Sequence, residues 1–328
     1  MKILLGSHHF FPSTGGIETV SNLLAREFVA LGHEVRVVTQ TPGNGDFPFA
    51  VVRRPRPLEL LRQVRWCDVF LQSNISLRTL WPLFLIRRPL VIAHHIWIRD
   101  SRGRSGWPER LKRFVLRFAT SLAISEAIAK SLPVPSIRVG NPYDDHVFTA
   151  ADMPRTRELI FVGRLVSDKG AALLLDALKL VKARPHLTIV GDGPERPALE
   201  KQASQLQSRV EFVGPQHGEQ LADSLRQHQI LVVPSLWQEP FGIVALEGIA
   251  CGCVVIGSAG GGLAEAIGPC GVTFPNGDAS ALAEAITRLL NDPSERERLR
   301  QNSAAHLARF NPARVAALYL DALTKALQ

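Results

Sequence analysis

Short apolar runs, each closed by glycine, proline or a polar turn, alternate along the chain with segments whose apolar residues recur every three to four positions. The runs predict buried strands and the spaced segments predict helices. Residues 2–6 form the first run. Ile17, Val20, Leu23, Leu24, Phe28 and Leu31 then mark a helix face that stops at Gly32, and residues 35–38 form the next strand. Further strands are predicted at 69–71, 90–93, 122–124 and 137–139, with short helices between them. Asn141-Pro142 interrupts the alternation, and 144–157 reads as a linker. The same pattern restarts with strands at 159–162, 187–190, 210–213, 230–233 and 253–256. Leu282, Ala285, Ile286, Leu289 and Leu290 mark a late helix, and Pro312 suits the first turn of a final one. Strictly alternating strands and helices predict an α/β chain with parallel sheets, in two halves.

The turns after the strands carry the candidate chemistry. Residues 232–267 read V-V-P-S-L-W-Q-E-P-F-G-I-V-A-L-E-G-I-A-C-G-C-V-V-I-G-S-A-G-G-G-L-A-E-A-I, a strand, loop, helix, strand and glycine loop in succession. Glu239 falls just before the helix and Glu247 about two turns in. Between them Phe241, Gly242 and Ile243 offer backbone N–H groups at the positive end of a helix dipole, an arrangement suited to hydroxyl or phosphate oxygens. Arg164 and Lys169 occupy another strand-to-helix turn, where cations can reach a diphosphate. Gly15 and Gly16 let backbone approach a ligand after the first strand, although the spacing is not the dinucleotide G-x-G-x-x-G. His94 and His95 follow a strand directly, so one of them is expected to project at the carboxyl edge of the sheet. Each feature also has a plainer reading: an acid complementing a dipole, a solvated glutamate, a tight turn, a structural histidine.

Composition narrows the setting. At 328 residues and 46% hydrophobic, the chain can bury two cores. No apolar stretch reaches the roughly 20 residues of a membrane span; the stretch 80–86 is cut by Arg87, Arg88 and Pro89. The apolar residues 3–5 are too few for a signal-peptide core, so a cytoplasmic protein is expected. The four cysteines lack zinc-finger spacing. The net charge of +8 resides in the first half, where residues 1–150 carry 20 Lys and Arg against 11 Asp and Glu. Such a half suits an anionic membrane, an acidic partner or a solvated basic face; nucleic acid is not expected without a recognition motif. Residues 53–57, R-R-P-R-P, read as a stiff basic loop, and 99–106, R-D-S-R-G-R-S-G, as a mobile one. Trp107, Leu111, Phe114, Val115 and Phe118 form an apolar stripe beside Arg110, Lys112, Arg113 and Arg117. That stripe suits a helix at an anionic membrane surface and equally a helix packed on its own domain.

Taken together, P-S-x-W-x-E-P-F-G-x-x-x-L-E, G-R-L-x-x-x-K-G, V-G-D-G-P and F-P-x-x-G-G-I-E resemble the motifs of the retaining glycosyltransferases of the E-x7-E family, the group 1 or family 4-like enzymes, and they occur in that family's order. The resemblance implies the GT-B architecture: two facing Rossmann-like domains, here 1–150 on the acceptor side and 151–310 on the nucleotide-sugar side, with a C-terminal helix, 311–328, able to cross back to the first. It implies that Glu239 contacts donor-sugar hydroxyls and Glu247 the ribose, and that amides at Phe241, Gly242 and Ile243 face sugar and diphosphate. Arg164 and Lys169 neutralise the diphosphate, Gly15 and Gly16 approach it from the first domain, and Gly191 joins the donor-binding residues. His94 matches the histidine close to the transferred sugar; Ser125 and Asn141 fall on motif positions. The sequence departs from the pattern at His95, where an acid is common and the change bears on the acceptor side, at Gly248 and Cys253, which replace alanine and proline, and in its short first domain.

The implied function is transfer from a UDP- or GDP-sugar to a glycan, lipid-linked or small-molecule acceptor in cell-envelope polysaccharide biosynthesis. His94, Arg164, Lys169 and Glu239 are the catalytic candidates, and no metal or other cofactor is expected. Negative charge growing on the leaving diphosphate makes its electrostatic stabilisation the main catalytic effect. A sugar-nucleotide epimerase, a phosphorylase and a catalytically silent scaffold are the alternatives. The expected partners are a nucleotide sugar, an acceptor and, through the basic first half, the inner face of an anionic membrane.

Overall fold

The computed structural model describes residues 1–13, 15–98 and 107–328. The loop expected at 99–106 lies outside the described residues. The chain forms two compact units, one of Met1–Pro142 with Phe310–Gln328, the other of Tyr143–Arg309.

Seven strands make the sheet of the first unit: β1 (Lys2–Ser7), β2 (Glu34–Thr39), β3 (Ala50–Arg53), β4 (Val69–Ser73), β5 (Leu90–His94), β6 (Thr120–Ala123) and β7 (Ser136–Arg138). All pair in parallel, in the order β3-β2-β1-β4-β5-β6-β7. The second unit carries β8 (Arg157–Val162), β9 (Leu187–Val190), β10 (Val210–Gly214), β11 (His228–Val233), β12 (Val254–Ser258) and β13 (Gly271–Phe274), also parallel, in the order β10-β9-β8-β11-β12-β13. Parallel strands need crossover connections, and helices fill most of them, which is why the strand sequences are apolar throughout rather than alternating. Ile3, Leu4, Val37, Val38, Val91 and Ile92 are fully buried in one sheet, and Leu159, Ile160, Ile230, Leu231, Val232 and Val254 in the other. Each unit is therefore Rossmann-like. In each, strand order reverses once, between β1 and β4 and between β8 and β11, and such a switch point opens a crevice at the carboxyl ends of the strands.

The structure corrects the expected outline at several points. The boundary falls after Pro142 rather than after residue 150. Tyr143 and Phe148 are buried, and Arg226 donates to the carbonyls of Val147 (2.7 Å) and Thr149 (2.9 Å), so the supposed linker is fastened to the second unit. Arg53 closes β3 instead of opening a loop; its Nη1 donates to the carbonyls of Phe11 (2.8 Å) and Thr41 (3.1 Å). Strand β13 follows a glycine and a cysteine and was not anticipated. The final helix, Pro312–Leu327, is capped by Asn311, groups with the first unit and buries Val315, Ala316, Tyr319, Ala322 and Leu323 there. Among the described residues no helix is long and apolar enough to cross a membrane.

Candidate functional site

In the second unit the candidate residues gather at the β8/β11 switch point. The turn after β8 runs from Gly163 through the one-turn 3-10 helix Ser167–Lys169 to Gly170, which opens the helix Ala171–Leu178. The loop after β11 runs from Pro234 to Gly242, which caps the helix Ile243–Ala250. Gly170 holds φ +73°, and a Cβ there would fall on the Pro234 carbonyl oxygen, so the two turns lie directly against each other. Asp168 reinforces the contact, its carbonyl accepting from Leu236 N (2.9 Å) and Trp237 N (3.2 Å).

This packing joins Lys169 to Glu239. Lys169 Nζ lies 2.6 Å from Glu239 Oε1, with side-chain exposures of 27% and 12%, and Ser235 Oγ donates to the same oxygen at 2.8 Å. Both bonds fall on Oε1. The backbone of Glu239 is held independently: it bridges to Gly261 in parallel pairing, and its carbonyl accepts from Gly262 N at 2.7 Å. Asn276 ties the neighbouring loops together, accepting from Gly260 N (2.7 Å) and donating to the Ser235 carbonyl (2.9 Å). Four loops thus fix one carboxylate beside one ammonium, at a helix start whose dipole favours negative charge.

Arg164, expected to act with Lys169, shares its turn but is exposed. Gly191 follows β9, and its N–H donates to Gly214 O at 2.8 Å. Phe241 is buried, while Gly242 and Ile243 are half-buried at the helix start. Glu247 is the fifth residue of the helix, little more than one turn in rather than two. Burial, and then the nearby Asp144 carboxylate, push its carboxyl up to about 7. Glu247 therefore differs from Glu239 in kind: one acid is locked in an ion pair, the other sits where its proton is easily gained or lost near neutrality.

The first unit holds the remaining candidates. Gly15 and Gly16, both exposed, precede and open the helix Gly16–Ala30 after β1. His94 is the last residue of β5, one beyond the expected run, but it is only 1% exposed and its Nε2 lies 3.4 Å from Ser121 Oγ, so it does not project freely. His95 is buried as well, its Nδ1 3.2 Å from Asn141 Oδ1. Burial lowers both histidines to about 4, the adjacent ring adding to the effect at His94, so both are neutral at physiological pH. Ser125 caps the helix Glu126–Ser131, accepting from Ile128 N at 3.2 Å.

Sequence reasoning missed Ser235, Asn276 and Asn74. Asn74 stands at the end of β4 with φ +58°, and its Oδ1 accepts from the amides of His95 (2.8 Å) and Ile96 (3.2 Å), fixing the backbone beyond the histidine strand. The signal for Ser235 was its place in the P-S-x-W motif; for Asn74 it was an asparagine at a strand end, a residue that tolerates the left-handed region.

Residues 156–292, which include the Lys169–Glu239 cluster, match the family model described as glycosyl transferases group 1. The glycogen synthase of Mycobacterium tuberculosis is 38% identical over 45% of this chain, a match that spans 38% of that relative's length. The phosphatidyl-myo-inositol mannosyltransferase of Mycobacterium leprae is 26% identical over 95% of this chain and 93% of its own. Among solved structures, Anabaena HepE in complex with UDP shares the fold with a TM-score of 0.85 at 20% identity, over 99% of this chain and 100% of that one. The likeness to the glycosyl transferases of group 1 thus covers most of the unit that carries Lys169, Glu239 and Glu247.

Proposed function

We propose that the protein is a retaining hexosyltransferase that takes a nucleoside-diphosphate sugar as donor. The observation that carries this reading is the Lys169–Glu239–Ser235 cluster at the switch point, beside a helix start. A polyhydroxylated diphosphate matches such a site: the ammonium suits the phosphate oxygens, and the carboxylate suits sugar hydroxyls. Glu247, deeper on the same helix, is assigned to the ribose. UDP is the first candidate for the nucleotide, because the structurally similar Anabaena protein is described in complex with it; GDP is the second.

In the proposed reaction the bond from the anomeric carbon to the leaving phosphate oxygen breaks, and the acceptor hydroxyl oxygen forms the new bond on the same face. The departing diphosphate takes the acceptor's proton. Negative charge grows on the diphosphate as the sugar becomes oxocarbenium-like. Lys169, Arg164 and the helix amides carry that charge, which leaves no step that calls for a metal. The acceptor is a glycan, a lipid-linked sugar or a small glycoside in cell-envelope polysaccharide synthesis, and the setting is the cytoplasm, with peripheral contact between the basic first unit and an anionic membrane.

The test is a thermal-shift panel of UDP, GDP, ADP and their sugars, followed by nucleotide release with candidate acceptors. Acceptor-dependent release of nucleoside diphosphate is the expected outcome. Conversion of the sugar without release would mark an epimerase, and a need for inorganic phosphate a phosphorylase. No nucleotide-induced shift would mark a silent scaffold. Lys169→Ala and Arg164→Ala should each lower turnover by about tenfold or more, the loss of a charge-assisted contact to the leaving group. Near-normal turnover in both would remove the assignment.

A further inference from the structure

The stripe at 107–118 is divided by the structure into two apolar faces. Leu116 is 1% exposed and belongs to the core cluster with Leu90, Ile92 and Phe70, and Val115 packs against it. Trp107, Phe114 and Phe118, in contrast, are 73%, 52% and 71% exposed. They stand on the helix Trp107–Val115 and the 3-10 turn Leu116–Phe118, with the rings of Phe114 and Phe118 in edge contact at 5.3 Å. Arg110, Arg113 and Arg117 are exposed as well. At 3.6 residues per turn, Trp107, Arg110 and Phe114 fall within an arc of about 60° on the helix, and Phe118 extends that face through its ring contact with Phe114. Inward packing therefore accounts for one face of the stripe and leaves three large aromatics interleaved with arginines on the other.

We propose that this outward face docks the protein on an anionic lipid surface, the rings entering the headgroup region and the arginines meeting lipid phosphates. The proposal rests on the peripheral contact suggested by the basic first unit and names the surface that makes it. Contiguous exposed aromatics on a soluble unit mark an interaction site. The choice of partner follows from charge. Residues 107–118 carry Arg110, Lys112, Arg113 and Arg117 against one acid, Glu109, a combination that repels a second copy of the same face and is complementary to an anionic bilayer. Tryptophan and phenylalanine beside arginine are also the side chains that settle at a membrane interface, where long cationic stems keep their heads in water.

The experiment is vesicle flotation of the full chain with phosphatidylcholine vesicles, alone or containing about a third anionic phosphatidylglycerol, at low and high salt. Binding should require the anionic lipid and weaken with salt, because the attraction decays over a Debye length of about 10 Å at 0.1 M. Each Arg→Gln change at 110, 113 or 117 should weaken binding about fivefold. The triple change Trp107→Ser, Phe114→Ser, Phe118→Ser should abolish it without lowering the melting temperature, since the three rings are solvent-facing. Lipids brominated near the headgroup should quench tryptophan fluorescence in the parent chain and less in Trp107→Phe. No flotation at low salt, flotation unchanged in the triple variant, or a face that instead drives concentration-dependent dimerisation or capture by an acidic protein would each overturn the proposal. Nucleotide binding by the triple variant, measured in the same samples, separates this failure from failure of the donor-site reading: it should equal that of the parent.

Discussion

Lys169 and Glu239 neutralise each other in the structure at 2.6 Å, although the proposed reaction needs the first for diphosphate and the second for sugar. A diphosphate must therefore draw the ammonium away from the acid, and in doing so it frees Glu239 Oε1 for hydroxyls. This competition has a signature that a simple sugar contact lacks. Glu239→Gln should bind UDP about three- to tenfold more tightly than the parent while losing transfer, because the ammonium no longer has a charged rival. In a double-mutant cycle Lys169→Ala should cost more UDP affinity in the Glu239→Gln background than in the parent; calorimetric losses equal in both backgrounds would show that the pair does not compete. Glu247 supplies a second residue-scale prediction. Its carboxyl, raised to about 7, keeps a proton at mildly acidic pH and accepts hydroxyl hydrogen bonds best once that proton is lost. Nucleotide affinity should rise as pH goes from about 6 to about 8, and Glu247→Gln should flatten the profile. These charged residues were legible because acids and cations are conspicuous in strand-to-helix turns. Ser235 went unassigned although it lies in the P-S-x-W motif, and Asn276 because a loop-tying polar residue follows no spacing; only the fold brings Asn276 to the Ser235 carbonyl.

At the scale of elements, the site depends on loops held against one another more than on any single helix. Gly261 shows this: it holds φ +80°, and a Cβ would press on the Glu239 carbonyl oxygen with which the loop is bridged. Gly261→Ala should push the 235–242 loop off its position, lowering UDP affinity and turnover by about tenfold or more while the far-UV spectrum is unchanged, since no strand or helix contains the residue. Retained activity would mean that Glu239 is positioned by Lys169 and Ser235 alone. Gly248 illustrates the reverse case, a departure from the family pattern that the structure explains: a Cβ there would meet the Leu231 side chain, so glycine lets the helix Ile243–Ala250 lie close on β11. Most strands were readable because buried parallel strands are continuous apolar runs. Strands β3 and β13 were not: each is a four-residue edge strand whose apolar run is cut short, by Arg53 in the first and by Gly271 and Thr273 in the second, whereas the edge strands β7 and β10 kept enough apolar sequence to be read. An edge strand needs less apolar sequence than a central one, and that is where periodicity loses its signal.

For the whole molecule, the two units differ in what acid does to them. The first contains His94 and His95, lowered to about 4 chiefly by burial, and His8 and His33, also lowered chiefly by burial. A histidine lowered in the fold takes up its proton more readily when unfolded, so its stability contribution is intact above about 6.5 and is lost as pH falls toward 4. By about pH 5 His94 and His95 should each weaken the first unit by roughly 2 kcal/mol. The second unit has His228, lowered to about 4, and His306, also lowered chiefly by burial, but also Glu247, raised to about 7. A raised acid acts in the opposite sense: the fold holds the proton between about 4.5 and 7, so acidification over that window strengthens the unit and offsets His228. Calorimetry from about pH 7 to about pH 5 should therefore resolve two transitions, one falling steeply and one nearly still. UDP at pH 7 should raise the steady transition, because a ligand stabilises the unit that binds it. His95→Gln keeps a donor for Asn141 without a group that titrates, and should restore part of the first unit's loss at pH 5. Transitions that fall in parallel, or a steep transition unaffected by His95→Gln, would contradict the assignment of acid sensitivity to the buried histidines of the first unit.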